Sequence, residues 1–481
     1  MEEHGNLIGG AWVASTGRGS YATHNPARPL ELLGRFADST PDDVSAAVGA
    51  ADAALAAWSD TPGPQRGLVL FRFAQLLEEA REALGRIITL EQGKALAESI
   101  GEVGRAAAEA RFMAGEASRP TGHTFPSERA GISCHTVAEP LGVVAVICPW
   151  NFPVVTPVRK IAPALGFGNT VVVKPASLTP WSAVFLMRLL EQAGVPPGVV
   201  NLVTGAGAVI GEALARDPRV GGISFTGSTA VGTRIYEAAA RRLARVQLEL
   251  GGKNPAIVIG CEDLDGAARE IVSAAFLCSG QRCTAISRVI VDEAQADDLA
   301  DRIVGCVERI VVGDGLAPGT TMGPLVSEAQ LRTVERYVRE GRERGAVLRA
   351  GGRPITGDPG TDGYFHEPTV FDRVPGDCPL ACDEIFGPVL PLIRIRDVEE
   401  AIAVANATRY GLAASVFSSR PGTVDAIVRR VRAGMIHVNH GTASQPHVPF
   451  GGVKDSGQGP YSIGRTARDF YTNAKAIYVR W

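Results

Sequence analysis

The sequence lacks an excess of charge of either sign: 48 lysines and arginines nearly cancel 51 aspartates and glutamates, leaving a formal charge of −3. No summed field therefore draws the chain to nucleic acid or to an anionic membrane surface, and a small-molecule partner is the expectation. It lacks a hydrophobic run approaching the ~20 residues of a membrane span, and it opens Met1-Glu2-Glu3-His4, acidic where a secretory signal is basic. A cytoplasmic protein is expected. The eight cysteines, at positions 134, 148, 261, 278, 283, 306, 378 and 382, form no Cys-x-x-Cys pair and no dense small-protein pattern, so reduced thiols are expected. His437 and His440 stand three apart without a second ligand pair nearby, so no metal is expected. Internal repeats, low-complexity tracts and charge runs are also missing.

What is present is a chain of 481 residues, 45% hydrophobic and 21% charged. At roughly 150 residues per domain that length suits about three domains with large cores. Apolar residues recur at helical spacing over 41–58, after Thr40-Pro41, over 64–92 and over 96–116, and a polar connector follows at Arg119-Pro120-Thr121-Gly122. From 141 the pattern changes. Val143–Ile147, Thr170–Val173 and Val199–Val203 are β-branched runs separated by helix-length segments, which predicts parallel strands buried on both faces of a doubly wound α/β domain. Ligands bind such sheets at the strands' C-terminal ends. A second alternation, through Ala256–Ile259, Ser287–Val291 and Gly434–Asn439, predicts a second α/β domain, and Phe470 through Val479 reads as a last edge strand suited to pairing with another subunit.

Candidate chemistry collects at the ends of these elements. Cys283, in Gly280-Gln281-Arg282-Cys283-Thr284, follows a helix and adjoins Arg282, whose charge would favour the nucleophilic thiolate. A buried structural cysteine is the plain alternative. Glu249, between two leucines at a strand end and ahead of Gly251-Gly252, suits a general base, with an edge carboxylate as its alternative. The double glycine permits close approach of backbone to a ligand. Asn151, held between Pro149 and Pro153 after the first buried strand, offers a neutral N–H donor that stabilises developing negative charge without titrating, or serves as a turn residue. Phe225-Thr226-Gly227-Ser228-Thr229 leads from the strand Gly222–Ser224 into a helix, where backbone N–H groups and the Ser228 hydroxyl could hold phosphate. The glycine-rich turn Gly205–Gly211 has one residue too many for the dinucleotide fingerprint and is a weak signal.

Taken together, the segments PWNFP, KPA at 174–176, FTGST, ELGGKNP, GQRC, EIFGPV at 384–389 and PFGGVKDSG at 449–457 resemble the aldehyde dehydrogenase superfamily, in order and over essentially the whole chain. The resemblance implies an enzyme in which Cys283 attacks an aldehyde, Glu249 activates the thiol or the hydrolytic water, and Asn151 with the Cys283 main-chain N–H steadies the oxyanion of a thiohemiacetal that becomes a thioester. It implies NAD or NADP held by Trp150, Lys174, Gly227, Ser228, Glu384 and Phe386. It also implies a cofactor domain over 1–117 and 140–250, a catalytic domain over 251–440, and an oligomerisation ribbon over 118–139 and 462–481 in a homodimer or homotetramer. Many NAD-preferring relatives carry glutamate where this chain has Ser177, so the repulsion of a 2′-phosphate is absent and NADP is expected to be accepted.

Substrate clues are fewer. Arg159 matches an arginine with which semialdehyde-oxidising relatives grip a carboxylate, Arg282 adjoins the nucleophile, and Phe450 is a further candidate substrate residue; a structural ion pair is the other reading of Arg159. The second carboxylate-binding arginine of succinic semialdehyde dehydrogenases is Leu277 here, which weakens the succinic assignment, and the stretch His447–Gly452 with Gly459-Pro460-Tyr461 and the Phe470-Tyr471 tail resembles the α-ketoglutaric semialdehyde branch more closely. Two rival chemistries use the same nucleophile, CoA acylation and cofactor-independent ester cleavage. Glu249 argues for hydrolysis over CoA transfer.

Overall fold

The computed structural model describes residues 3–17, 19–119, 122–356 and 362–480. Of the expected connector, Pro120 and Thr121 lie outside the described residues. Helix formation follows local chemistry at the first helix, Pro41–Asp60, where Thr40 and Asp43 form a reciprocal capping box and Pro41 occupies the first turn. The expected single helix over 64–92 is two, Gly63–Glu79 and Arg81–Gln92, broken at Ala80. The apolar spacing runs on through the break, so periodicity alone does not show it. The second helix crosses Leu96–Glu116 closely, and a Cβ at Gly85 would stand 2.8 Å from Ile100.

Two sheets organise the molecule. The first has eight strands in the order Gly457–Gln458, Arg245–Glu249, Val220–Thr226, Val143–Ile147, Thr170–Lys174, Val200–Leu202, Asn6–Ile8 and Ala11–Val13. The five from Arg245–Glu249 to Val200–Leu202 are parallel, and their runs are buried on both faces as the continuous apolar sequence requires. Strand order reverses between Val143–Ile147 and Val220–Thr226, which opens a crevice at their C-terminal ends. The second sheet has seven strands in the order Val347–Ala350, Thr369–Asp372, Val389–Ile395, Ile286–Asp292, Asn254–Val258, Ala413–Phe417 and Met435–Val438, all parallel except the first.

The N-terminal strands, including a small sheet of Glu3–His4, Arg28–Ala37 and Ser20–Asn25, were not legible in the sequence because the segments are short or irregular in register. A three-stranded ribbon joins Thr472–Arg480, Ile132–Pro140 and Thr124–Phe125, with Thr472 opposite Pro140 and Arg480 opposite Ile132. The expected last strand is shorter than predicted at its start. Phe470 and Tyr471 close a short helix, Ala467–Tyr471, and are fully buried in the core beside the first sheet, so the strand begins at Thr472 rather than at Phe470. Among the described residues no helix is long and apolar enough to cross a membrane.

Candidate active site

Leu250-Gly251-Gly252-Lys253 carries the chain from the end of the first sheet's strand Arg245–Glu249 to the start of Asn254–Val258 in the second. The site forms between the C-terminal ends of the first sheet and the N-terminal ends of the second, because Cys283 precedes Ile286–Asp292 and Glu384 precedes Val389–Ile395. Only the first sheet thus follows the expectation of ligand binding at strand C-termini.

A cavity of about 560 Å³ brings together Cys283, Glu249, Asn151, Arg159, Arg282, Phe450, Trp150, Glu384, Phe386, Gly227 and Ser228. Asn151 is buried, and its Nδ2 donates one hydrogen bond to the Gln281 carbonyl at 2.9 Å, which leaves the second amide hydrogen uncommitted. Glu249 accepts from the Thr226 hydroxyl at 3.2 Å through Oε2, while its buried Oε1 has no partner. A buried carboxylate oxygen without a donor is costly unless a ligand or water completes it. The expectation for the nucleophile needs correction: burial pushes the Cys283 thiol up to about 12, with Glu249 adding to the rise, while Arg159 and then Arg282 oppose it more weakly. Arg282 instead directs Nη2 to the Thr442 carbonyl at 3.3 Å and the Thr284 hydroxyl at 3.4 Å.

The double glycine lets the backbone pass close to neighbouring groups: a Cβ at Gly251, which lines the main cavity, would stand 2.1 Å from Glu384 Oε2, and one at Gly252 would stand 2.8 Å from the Cys283 carbonyl. Gly252 N–H donates to Glu384 Oε1 at 2.9 Å, yet burial still pushes that carboxyl up to about 7. Phe386 adopts a left-handed backbone with φ 56° and meets Trp150 edge-on at 5.3 Å, an uncommon conformation that Gln330 braces by donating to the Phe386 carbonyl.

A second cavity of about 720 Å³ adjoins the first and shares Pro149, Trp150, Thr226, Gly227 and Ser228 with it. Lys174, Ser177 and Gly207 line it. Burial pulls the Lys174 ammonium down to about 8. Ser177 donates to the Gly205 carbonyl at 2.8 Å. Gly227 N–H is spent on the Glu249 carbonyl, so an anion here would meet the uncapped start of the helix Thr229–Ala240 and the Ser228 hydroxyl instead. Paired cavities with an ammonium at one end and a carboxylate beside aromatic rings at the other fit an extended dinucleotide.

The sequence profile described as the aldehyde dehydrogenase family matches residues 12–477. The chain belongs to the aldehyde dehydrogenase family. It is 40% identical to an α-ketoglutaric semialdehyde dehydrogenase of Bacillus subtilis, over 99% of this chain and 98% of that one. Among solved structures it superposes on an E. coli NADP-dependent enzyme with a TM-score of 0.97 and 35% identity, over 100% of this chain and 98% of that one. An NAD-dependent aldehyde dehydrogenase from Sinorhizobium meliloti gives 0.96 and 38%, over 100% and 95%. This aldehyde dehydrogenase is accordingly an NAD- or NADP-dependent oxidoreductase that converts aldehydes to acids.

Four features of the dehydrogenase's site were missed by sequence reasoning. Glu109 clasps Arg159, with Nε at 3.1 Å and Nη2 at 2.8 Å, and no local signal could pair residues 50 apart. Ser444 lines the main cavity and accepts from Arg105 Nη2 at 3.2 Å; its short distance from the Pro449-Phe450 segment could have flagged it. The discounted glycine turn supplies Gly207 to the second cavity, where a Cβ would stand 3.6 Å from Lys174 Nζ. Lys94 is fully buried against the Asn151 carbonyl. Elsewhere, His437 and His440 meet edge-on at 5.0 Å, and no three metal-ligating side chains cluster among the described residues.

Proposed function

We propose that the protein oxidises a carboxylate-bearing semialdehyde, with α-ketoglutaric semialdehyde favoured over succinic, using Cys283 as nucleophile, Glu249 as base, Asn151 as oxyanion donor and Arg159 as carboxylate clamp. The observation that carries this reading is the convergence of those four groups in one cavity, with an orphan Glu249 oxygen and an uncommitted Asn151 hydrogen. A thiol pushed up to about 12 is protonated at rest, so attack requires a base. Glu249 takes the thiol proton, sulfur bonds to the carbonyl carbon, and the carbonyl electrons move to oxygen. That oxygen accepts from Asn151 Nδ2 and from the Cys283 main-chain N–H, which makes no other hydrogen bond among the described residues. NAD or NADP, when bound, would supply the hydride acceptor for oxidation of the thiohemiacetal on Sγ to a thioester. Glu249 passes its first proton to solvent, then takes one from a water that adds to the thioester carbonyl; collapse of that adduct releases the acid and expels the Cys283 thiolate, which recovers its proton from Glu249.

Trp150, Lys174, Gly227, Ser228, Glu384 and Phe386 would hold that cofactor across the two cavities. Ser177 is neutral and engaged with Gly205, so nothing at that position repels a 2′-phosphate, and both cofactors would be used. The first sheet's layer, residues 1–117 and 140–250, would form the cofactor domain and 251–440 the catalytic one. The ribbon would pair subunits in a cytoplasmic homodimer or homotetramer. Similarity to the Bacillus semialdehyde enzyme supports the substrate class.

Two geometries bear on the clamp. Glu109 occupies the Nε and Nη2 edge of Arg159, which fixes the guanidinium over the Phe450 ring at 4.5 Å and leaves Nη1 for a carboxylate. Leu277 lines the cavity where a second arginine would stand for succinic semialdehyde. Replacing Arg159 with leucine is expected to lower kcat/KM for a semialdehyde by about 10- to 100-fold relative to an uncharged aldehyde, from the ~1.5–3 kcal/mol of a charged hydrogen bond. An unchanged ratio would remove Arg159 from substrate recognition.

The function itself is tested by measuring reduced cofactor from a panel of aldehydes and semialdehydes with NAD and with NADP. Semialdehydes should lead and both cofactors should turn over; ester cleavage without reduced cofactor would favour the hydrolase alternative. The raised thiol predicts further that alkylation of Cys283 by iodoacetamide is still accelerating at pH 10, since the thiolate fraction grows until pH passes the shifted value. Between pH 9 and 10 the rate should rise nearly tenfold; a rise of about twofold or less over that interval would show an unshifted thiol.

A further inference from the structure

Lys94 is among the largest fully buried side chains, in the turn between the helices Arg81–Gln92 and Leu96–Glu116. Its Nζ lies 2.8 Å from Glu102 Oε2 and donates to the Asn151 main-chain carbonyl at 2.6 Å. It also stands 3.9 Å over the centre of the Phe152 ring. Glu102 uses its other oxygen, Oε1, to accept from the Val154 and Val155 N–H groups at 2.8 and 3.0 Å, at the start of the helix Val155–Gly166. One ion pair therefore grips both ends of the segment 151–155. The Asn151 amide is fixed at its side chain by the Gln281 carbonyl, two residues before Cys283.

A fully buried ion pair adds little net stability over well-packed apolar residues of the same volume, because desolvation offsets the attraction between the charges. Stability alone is thus a weak reason for its presence. Its contacts supply a better one: every side-chain hydrogen bond that leaves the Lys94–Glu102 pair ends on the loop that carries the oxyanion donor or on the helix that follows it. Oxyanion stabilisation depends on donors held 2.7–3.1 Å from where charge develops, so a small rotation of that loop costs rate without changing what binds.

We infer that the Lys94–Glu102 pair is a positioning device that fixes Asn151 for the oxidation step, acting through the Asn151 carbonyl and the start of the helix that bears Arg159. This rests on the reading of Asn151 as oxyanion donor. Neither residue touches the reacting atoms in this role. Burial opposes the charge on Lys94, but the net shift is upward, raised by the Cys278 sulfur where ionised and by the carboxylates of Glu102 and Glu98, which keeps the ammonium donating.

The test is a mutant cycle on the full-length enzyme. Lys94→Met with Glu102→Gln removes both charges together and keeps an acceptor for Val154 and Val155. This change is expected to lower kcat about 30-fold with the KM for cofactor unchanged and the Cys283 alkylation rate within twofold, readouts that general damage to the fold would move. In an Asn151→Ala background the same change should lower kcat less than threefold. An equal loss in both backgrounds, or no loss with Asn151 present, would overturn the inference. If Asn151→Ala itself leaves kcat unchanged, the oxyanion reading fails first and the two failures are distinguished. Should the double variant not accumulate folded, Lys94→Arg serves in the same cycle. Its wider guanidinium displaces the Asn151 carbonyl and should cost about fivefold with Asn151 present and nothing without it; equal costs would again overturn the inference.

Discussion

Glu249→Gln is expected to lower kcat for aldehyde oxidation by about a thousandfold, within the ~10²–10⁴ that a positioned base contributes. Glutamine keeps the size of the side chain and its contact with Thr226, so the loss isolates proton transfer. The thiol sets the scale. Burial keeps Cys283 protonated at neutral pH, and a carboxylate with an unpartnered oxygen in the same cavity is the group available to change that. The remaining rate of the variant should climb with pH as solvent takes over the deprotonation. Steady-state formation of reduced cofactor between pH 7 and 10 checks both expectations. A variant within tenfold of the parent at pH 7 would assign the proton transfer elsewhere.

Asn151→Ala is expected to lower kcat by about 10²–10³-fold, equivalent to the ~2.7–4 kcal/mol measured when an oxyanion donor is removed from other enzymes. The loss should fall on kcat rather than on the KM for aldehyde, because the bond is realised fully only when the carbonyl oxygen carries charge. Asn151→Asp should be at least as damaging, since it places an acceptor where a donor is needed. A rise in KM with kcat preserved would make Asn151 a ground-state binding group.

The buried strands of the first sheet were legible because parallel strands covered on both faces need unbroken β-branched runs, and Val143–Ile147 and Thr170–Lys174 have them. That Cys283, Glu249 and Asn151 could share one cavity was legible in part, because Glu249 closes the strand Arg245–Glu249, Asn151 follows Val143–Ile147 and Cys283 precedes Ile286–Asp292. Residue pairings were not. Whether Arg159 meets substrate or Glu109 depends on two helices crossing, and the chain order of residues 109 and 159 carries no trace of it. The raised thiol escaped for a similar reason: the adjacent Arg282 was visible in sequence, whereas the burial that outweighs it belongs to the assembled fold. Phe470 and Tyr471 show the limit for local pattern, since aromatic residues before a β-branched run suit a strand as well as the buried helix they form.

The most direct test of the shared carbonyl site is peptide mapping of the Glu249→Gln variant, acid-quenched after incubation with aldehyde and cofactor at pH 9. At that pH a small fraction of thiol ionises unaided while the thioester still lacks its hydrolytic base. One acyl group per subunit should be found, attached to Cys283, with a matching single equivalent of reduced cofactor. Acylation of another cysteine, or reduced cofactor released with no acyl group on any thiol, would contradict a covalent path through Cys283.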